Sequence, residues 1–368
     1  MLGKQCPPFR SPDAVLEVNL AALRSNFETI ATFVGPRVEV SAVVKGDAYG
    51  LGLEMVSKAL AEAGCRVFFV GSINDAMNLR FILKSQTIAV FEGMPQRSPD
   101  IYSRFGLTPV VNNREDLDFI ESVKSLPYFL NVDTGFSRSG LNMEELREEC
   151  LVRTFQRCPP EVIFSHLACA GYASDVTNAL QRDRFQSIYN LLRPARGSLA
   201  ASAGAWLDKS YHFDMVRAGS ALYGLNTTCV RPNPFQSVVN LRAKILEVRN
   251  VPDKEAVGYD ATYRTARDSR MAIVGIGYKH GVPWACSNKI SVLCAGRPAA
   301  QVGSIMMESM VIDVTDIAEV DCQPGTFVEI LHRDFTVDDL AEVAHACPHE
   351  VLIHMGASCF RKYLIYPA

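Results

Sequence analysis

Lys45 ends the apolar run SAVV and is followed at once by GDAYGLG, where glycines at 46, 50 and 52 let the backbone approach a ligand closely. A lysine at a strand end, with an apolar wall behind it, suits Schiff-base chemistry, because desolvation favours the neutral amine and so its nucleophilicity. A surface lysine in a turn has the same local pattern, and type and placement alone leave both readings open. A second group, HACPH at 345–349, offers His345, Cys347 and His349 as zinc donors. An accidental cluster at a frayed helix end is the simpler reading of it.

The elements that must position these residues alternate. From residue 15 to about 225, short apolar runs precede helix-period segments: VEVSAVV before LGLEMVSKALAEAG, RVFFVG before NDAMNLRFILK, VIFSHLACA before NALQRDRFQSIYNLLR. Strands separated by helices of this length imply βαβ units and a parallel sheet. Leaving out the first run, VLEVN, the strand ends fall at Lys45, Gly71, Gly93, Asn112, Asp133, His166, Ser202 and Gly219. Eight ends suit a closed (β/α)8 barrel better than an open doubly wound sheet, and they put these polar and glycine residues on the face where barrel enzymes keep their chemistry. After NTTCVRPNPF the texture changes to β-runs without intervening helices over 238–334, with a late helical piece at VDDLAEVAHAC. The expected fold is therefore α/β, a barrel over 14–234 followed by a mainly β carboxyl-terminal domain over 235–368, with Pro232-Asn233-Pro234 at the boundary.

Composition narrows the partners. The 368 residues carry 37 Lys and Arg against 40 Asp and Glu, which leaves no electrostatic footprint for nucleic acid or anionic lipid. Eleven cysteines form an odd, scattered set without a CxxC pair, so a reducing compartment is expected. The first ten residues have two positive charges but no apolar stretch after them, unlike a secretory signal, and no run approaches a membrane span. These features point to a cytoplasmic protein that binds neither nucleic acid nor membrane.

The string AVVKGDAYGLG closely resembles the pyridoxal phosphate lysine motif of alanine racemases. The resemblance continues in order through VDTGFSRSGL, FSHLACAG, ASAGAW, VRAGSALYG, AVGYDATY, GIGYKHG and MMESMVIDVTD, from about residue 14 to 363. It implies pyridoxal 5'-phosphate as cofactor, an amino acid as substrate, and a homodimer whose active sites lie between subunits. By the same resemblance, Lys45 holds the cofactor covalently and is one of two catalytic bases; Tyr259, which alone would read as a strand-packing tyrosine, is the other and comes from the partner subunit. Two bases fit racemisation, which takes a proton from one face of a planar carbon and returns one to the other. Arg217 matches the arginine facing the pyridine nitrogen, His166 the histidine hydrogen-bonded to it, and Arg138 the arginine near the cofactor's phenolic oxygen and the substrate carboxylate. Tyr49, Ser202 and the backbone amides of Gly219 and Ser220 match the phosphate cradle. The amide of Met307 would receive the substrate carboxylate, and Tyr278 matches the second tyrosine at the mouth. No metal is implied.

Several entryway positions depart from the family pattern. Trp284 and Ser304 stand where arginines are usual, Gly171 where an acidic residue is expected, Glu308 replaces the aspartate after Met307, and Ala357 and Ser358 lie where a tyrosine or arginine-rich string is common. Asn131 takes the place of a basic or carbamylated lysine. The resemblance implies interconversion of L- and D-alanine; these changes would make the mouth wider and less polar, and a racemase of a larger amino acid is the alternative they raise. Competing readings are a non-catalytic pyridoxal phosphate carrier, which would lack the β domain and the opposing tyrosine; a metal-assisted aldolase or dehydratase using HACPH; and a related decarboxylase, which would lack the tyrosine base.

Overall fold

The strand β1 (Ala14–Asn19) and the eight strands after it belong to different units of the fold. The structure, a computed structural model, describes residues 12–95, 97–123, 126–228 and 230–365. The amino-terminal decapeptide, with Cys6, and Cys229 lie outside those residues. The chain divides into Ala21–Gln236 and a second unit made of the residues up to Leu20 together with those from Ser237.

In the first unit, β2 (Glu39–Val43), β3 (Val67–Val70), β4 (Thr87–Val90), β5 (Thr108–Val111), β6 (Phe129–Asn131), β7 (Val162–Phe164), β8 (Arg196–Ser198) and β9 (Met215–Ala218) are parallel neighbours in the order β8-β7-β6-β5-β4-β3-β2-β9. The ring closes between β8 and β9, where Asp214 N–H donates to Gly197 O and Arg217 N–H to Ala200 O, both at 3.0 Å. Parallel strands buried on both faces read as continuous apolar runs, and β3 (VFFV) and β5 (TPVV) are buried throughout. Phe69 fills the interior, stacked on Phe91 at 5.0 Å and edge-on to Phe164 at 6.0 Å. Helices follow the strands and bury one stripe each; Leu53–Glu62 turns Leu53, Val56, Ala59 and Leu60 inward at helical spacing. The less regular link after TIAVFEG contains a short helix, Pro99–Phe105.

The β unit is built on β10 (Val239–Val251), β11 (Ala256–Val257), β12 (Tyr263–Arg264), β13 (Ser269–Val274), β14 (Ser291–Cys294), β15 (Arg297–Val302), β16 (Met310–Asp313), β17 (Phe327–Leu331) and β18 (Phe360–Leu364). The long β10 pairs antiparallel with β17 through its first half and with β13 through its second. Register shifts at Leu241/Arg242 and Ile245/Glu247 let it serve both, so β10-β13-β16-β15-β14-β17 form a closed ring. The strand VLEVN falls within β1, antiparallel to β10 and parallel to β18. The amino-terminal limit of the barrel therefore falls at Ala21 rather than at 14, because the backbone donors and acceptors of β1 are satisfied in the β unit.

HACPH is a corner between two helices. His345 ends Val337–Ala344 in a left-handed conformation (φ 52°), and Cys347 caps Pro348–Ser358, with its Sγ 3.6 Å from His349 Nδ1. Among the described residues no three His, Cys, Asp or Glu side chains form a group suited to a metal ion, and no helix is long and apolar enough to cross a membrane. The nine described cysteines are free thiols.

Candidate active site

Lys45 opens a single left-handed turn. Gly46, Asp47, Ala48 and Tyr49 have φ of 63°, 54°, 55° and 56°, a conformation that costs roughly 1–2 kcal/mol for each non-glycine residue. The turn is held by Ala48 N–H to Val44 O (3.0 Å), Gly50 N–H to Gly46 O (2.8 Å) and Gly52 N–H to Asp47 O (2.9 Å). Asp47 Oδ1 also accepts from Leu53 N–H at 2.7 Å and so starts the next helix. Reversing the hand of one turn buries Ala48 and Tyr49 while Lys45 stands exposed at the mouth of the barrel. Strain of this kind persists where the surroundings over-determine it, as at functional sites. Desolvation of the amine and, secondarily, the charge of Arg138 lower the Lys45 pKa, which favours the free amine.

Beside this turn, Tyr49 stacks on Tyr223 at 4.4 Å, and Tyr223 donates its hydroxyl to Val43 O at 3.0 Å. Burial pushes the Tyr49 phenol up to about 12, so it remains a hydroxyl donor. A Cβ on Gly219 would lie 2.6 Å from the Tyr49 hydroxyl oxygen, so any side chain there would have to displace the phenol. Ser202 Oγ accepts from Gly219 N–H (2.9 Å) and Ala221 N–H (3.2 Å), leaving its own hydrogen to donate. Ser220 Oγ lies 2.8 Å from Thr227 Oγ1. Tyr49, Ser202, Gly219 and Ser220 are thus one neighbourhood; the amide of Gly219, expected on the phosphate, here serves Ser202.

Arg217 is 3% exposed. Its Nη1 donates to Ser198 O at 2.6 Å and Ser198 Oγ at 2.7 Å, its Nη2 donates to Ser165 O, and the guanidinium lies 4.9 Å over the Phe164 ring. Burial, and then Arg138, bring its pKa down to about 9. His166 is drawn down to about 3 by burial and by the charges of Arg217, Arg138 and Lys45, in that order, so it is neutral. The hydrogen bond from His166 to Arg217 that the resemblance implies is not formed among the described residues, because Ser165, Ser198 and Leu199 occupy the guanidinium; the His166 ring instead meets Phe136 edge-on at 5.3 Å.

Arg138 is presented by the loop after β6. Asp133 Oδ1 accepts from Gly135 N–H (2.8 Å) and Phe136 N–H (2.9 Å), and Arg138 lies 4.4 Å over the Phe136 ring. Asn131, at the lysine position of the family, donates to Asn112 Oδ1 at 2.9 Å and Ser139 Oγ at 3.1 Å, tying this loop to the neighbouring strand end.

One electrostatic feature unites the site. Among the described residues, none of Lys45, Arg138 and Arg217 has a carboxylate in ion-pair contact, yet they act together on His166. Two arginine cations and a lysine amine, with two buried hydroxyl donors, Tyr49 and Ser202, fit a small group bearing a phosphate and a phenolic oxygen. By contrast, the open cleft of about 820 Å³ lined by Arg80, Phe81, Thr87, Thr108 and Glu161 lies at the opposite, amino-terminal end of the barrel strands.

The remaining expected residues cluster on the β unit. Tyr259 begins a 3-10 turn, Tyr259–Ala261, with Gly258, Asp260 and Ala261 at φ 72°, 59° and 48°, and is 69% exposed. Tyr278 N–H donates to Met306 O at 3.0 Å and Lys279 N–H to Met307 O at 2.9 Å, so the turn carrying Tyr278 and the loop carrying Met307 are clipped together. A Cβ on Gly277 would press on the Met306 carbonyl, which makes this approach dependent on glycine. Lys279 forms an ion pair with Glu308. Lys279, which sequence reasoning did not single out, lies next to Tyr278, and its ion pair lowers the Glu308 pKa. Trp284 is exposed, Ser304 is buried, and Gly171, Ala357 and Ser358 lie at the surface.

Comparison with known proteins agrees with this geometry. Residues 18–227 match the model of the alanine racemase N-terminal domain and residues 238–363 that of the C-terminal domain. The chain is 54% identical over 356 residues to the biosynthetic alanine racemase of Mesorhizobium japonicum, covering 96% of this chain and 90% of that one. The chain belongs to the alanine racemase family. Another member, from Rhodospirillum rubrum, is 35% identical over 359 residues, 95% of this chain and 96% of its own. The crystal structure of alanine racemase from Bartonella henselae with covalently bound pyridoxal phosphate superposes with a TM-score of 0.88 at 33% identity, covering 96% of this chain and all of that one. Membership of the alanine racemase family makes the chain an isomerase dependent on pyridoxal phosphate, and its cationic barrel mouth is compatible with that cofactor.

Proposed function

We propose that this chain interconverts L- and D-alanine as a cytoplasmic homodimer, each site combining Lys45 of one subunit with the partner subunit's Tyr259. The observation that carries the reading is the set of cations without carboxylate partners around neutral His166, beside a desolvated lysine amine. Lys45 would hold the cofactor, with Tyr49, Ser202, Gly219 and Ser220 on its phosphate, Arg217 at its ring nitrogen, and Arg138 toward its phenolic oxygen and the substrate carboxylate. When bound, pyridoxal 5'-phosphate supplies an electron sink that acidifies the α-hydrogen of an attached amino acid.

The chain's own groups then divide the work. Arg217, held by the Ser198 and Ser165 carbonyls and still a cation at neutral pH, would face the ring nitrogen without giving it a proton. Lys45 Nζ and Tyr259 Oη serve as acceptor and donor on opposite faces, exchanging roles with the direction of reaction. Arg138 and the Met307 amide orient the carboxylate. The exposure of Tyr259 and Met307 on the β unit supports a site completed by a second copy. Free thiols and a near-neutral charge balance support the compartment.

A larger amino acid is the second reading; it rests on Trp284 and Ser304 at positions where the family has cations. The test is chiral chromatography of the purified protein with pyridoxal 5'-phosphate and a panel of L-amino acids. Conversion of L-alanine to an equal mixture, faster than any other member of the panel, is expected. Turnover led by a bulkier side chain would favour the second reading, and no racemisation of any member would overturn both.

A further inference from the structure

The Tyr259 turn has two strained neighbours, Asp260 and Ala261, after a glycine at positive φ, and something must hold it. Its root, Val257, packs in an apolar cluster with Met271, Val302 and Val311. Its far end is Thr262, and the side chain that reaches Thr262 belongs to Asn288. Asn288 Nδ2 donates to Thr262 Oγ1 at 3.2 Å, and Asn288 Oδ1 accepts from Gly303 N–H at 2.6 Å. The backbone N–H of Asn288 donates to Gln301 Oε1 at 2.6 Å, and Gln301 is itself 2% exposed and fixed to Gly303 O at 2.8 Å. Asn288 thus joins a buried anchor on β15 to the turn that carries the phenol.

The adjoining residue works on the other reactive loop. Ser287 Oγ accepts from Ile305 N–H at 2.9 Å, in the segment that leads to Met307. Ser304, between the two loops, makes only long contacts, 3.4 Å to Thr262 Oγ1 and 3.4 Å to Tyr259 O, weaker than the Asn288 bonds. Asn288 has φ 62°, which asparagine tolerates better than most residues, so its backbone and both ends of its amide are committed to this one junction.

We propose that Asn288 is a positioning residue for the racemase reaction, setting the Tyr259 turn by bridging Thr262 to Gly303. The inference rests on the functional reading above. Asn288 touches neither substrate nor cofactor in this account; it acts through Thr262.

Two variants test it. Asn288→Gly keeps the left-handed backbone and loses both side-chain bonds, while Thr262→Val removes the Asn288 link to the turn, together with the longer Ser304 contact, with little change of shape. In each, kcat for alanine is expected to fall about tenfold or more, with KM and the absorbance of bound pyridoxal 5'-phosphate near those of the unsubstituted chain. Exchange of the α-hydrogen for solvent deuterium should slow more for one enantiomer, the same one that Tyr259→Phe slows. Amide hydrogen exchange across residues 256–264 should accelerate while the barrel is unaffected. Asn288→Asp, which keeps the acceptor for Gly303 and can accept the Thr262 hydroxyl, should recover most of kcat. If Asn288→Gly does not fold, Thr262→Val decides alone. Full kcat in Thr262→Val, or a loss shared equally by both enantiomers with the cofactor released, overturns the inference. An inactive unsubstituted chain overturns the functional reading beneath it instead.

Discussion

Gly219 and Tyr49 share one space: a methyl group on the glycine would sit 2.6 Å from the phenolic oxygen. The hydroxyl that would meet the phosphate is therefore placed by the absence of a side chain. Gly219→Ala is expected to displace Tyr49 and weaken retention of pyridoxal 5'-phosphate by about tenfold or more, since a lost hydrogen bond to a charged group is worth roughly 1.5–3 kcal/mol. Titration of the apoprotein followed by absorbance checks this. Unaltered affinity would show that the phosphate does not depend on Tyr49.

Lys45→Ala removes the one amine poised at the end of β2. Cofactor should then be lost on dialysis, borohydride should fix none to the chain, and racemisation should cease. Mass spectrometry after reduction reads the outcome, and a covalent adduct at another lysine would move the site.

Tyr259→Phe keeps the ring and removes the proton. Turnover should fall by roughly 100-fold or more, the usual range for a lost general acid or base, with the cofactor absorbance retained. Stopped assays with either enantiomer check it.

The pH dependence of stability has a definite sign. His166 is held at about 3 in the folded chain by burial, Arg217, Arg138 and Lys45, against about 6.5 for a free histidine. Between those values the unfolded chain binds a proton that the folded chain refuses, so stability is fully present above about 6.5 and is lost as the pH falls toward 3. His166→Gln should therefore lose less melting temperature between pH 7 and pH 4.5 than the unsubstituted protein does. An identical loss in both would mean that His166 protonates freely.

Much of this was legible in the residues, for identifiable reasons. The barrel could be counted because parallel strands are written as short apolar runs and each ends in a glycine or polar residue; Lys45, Asn112, Asp133, His166 and Gly219 lie at or within two residues of strand ends. The assignment of β1 was not legible, since VLEVN looks like any other buried strand and its pairing with β10 and β18 joins segments far apart in sequence. Nor was the left-handed turn at Gly46–Tyr49, because two of its four residues, Ala48 and Tyr49, lack the usual signal for positive φ. Asn288 and Lys279 went unnoticed because their roles lie in what they hold, Thr262 and Glu308, and neither partner is near in sequence. The Ser-Asn pair before a strand was the available signal for the former, as a turn with a left-handed asparagine.

The central claim, that Lys45 and Tyr259 act across a subunit boundary, is tested most directly by mixing. On this account Lys45→Ala and Tyr259→Phe proteins should each have little or no activity as homodimers, but a mixed dimer would carry one site with both native groups and one with neither. Unfolding and refolding the two together in equal amounts should recover roughly a quarter of the native activity, the product of half the dimers being mixed and half their sites intact. Mixed dimers that form, as shown by native mass spectrometry, and yet remain inactive would contradict the account.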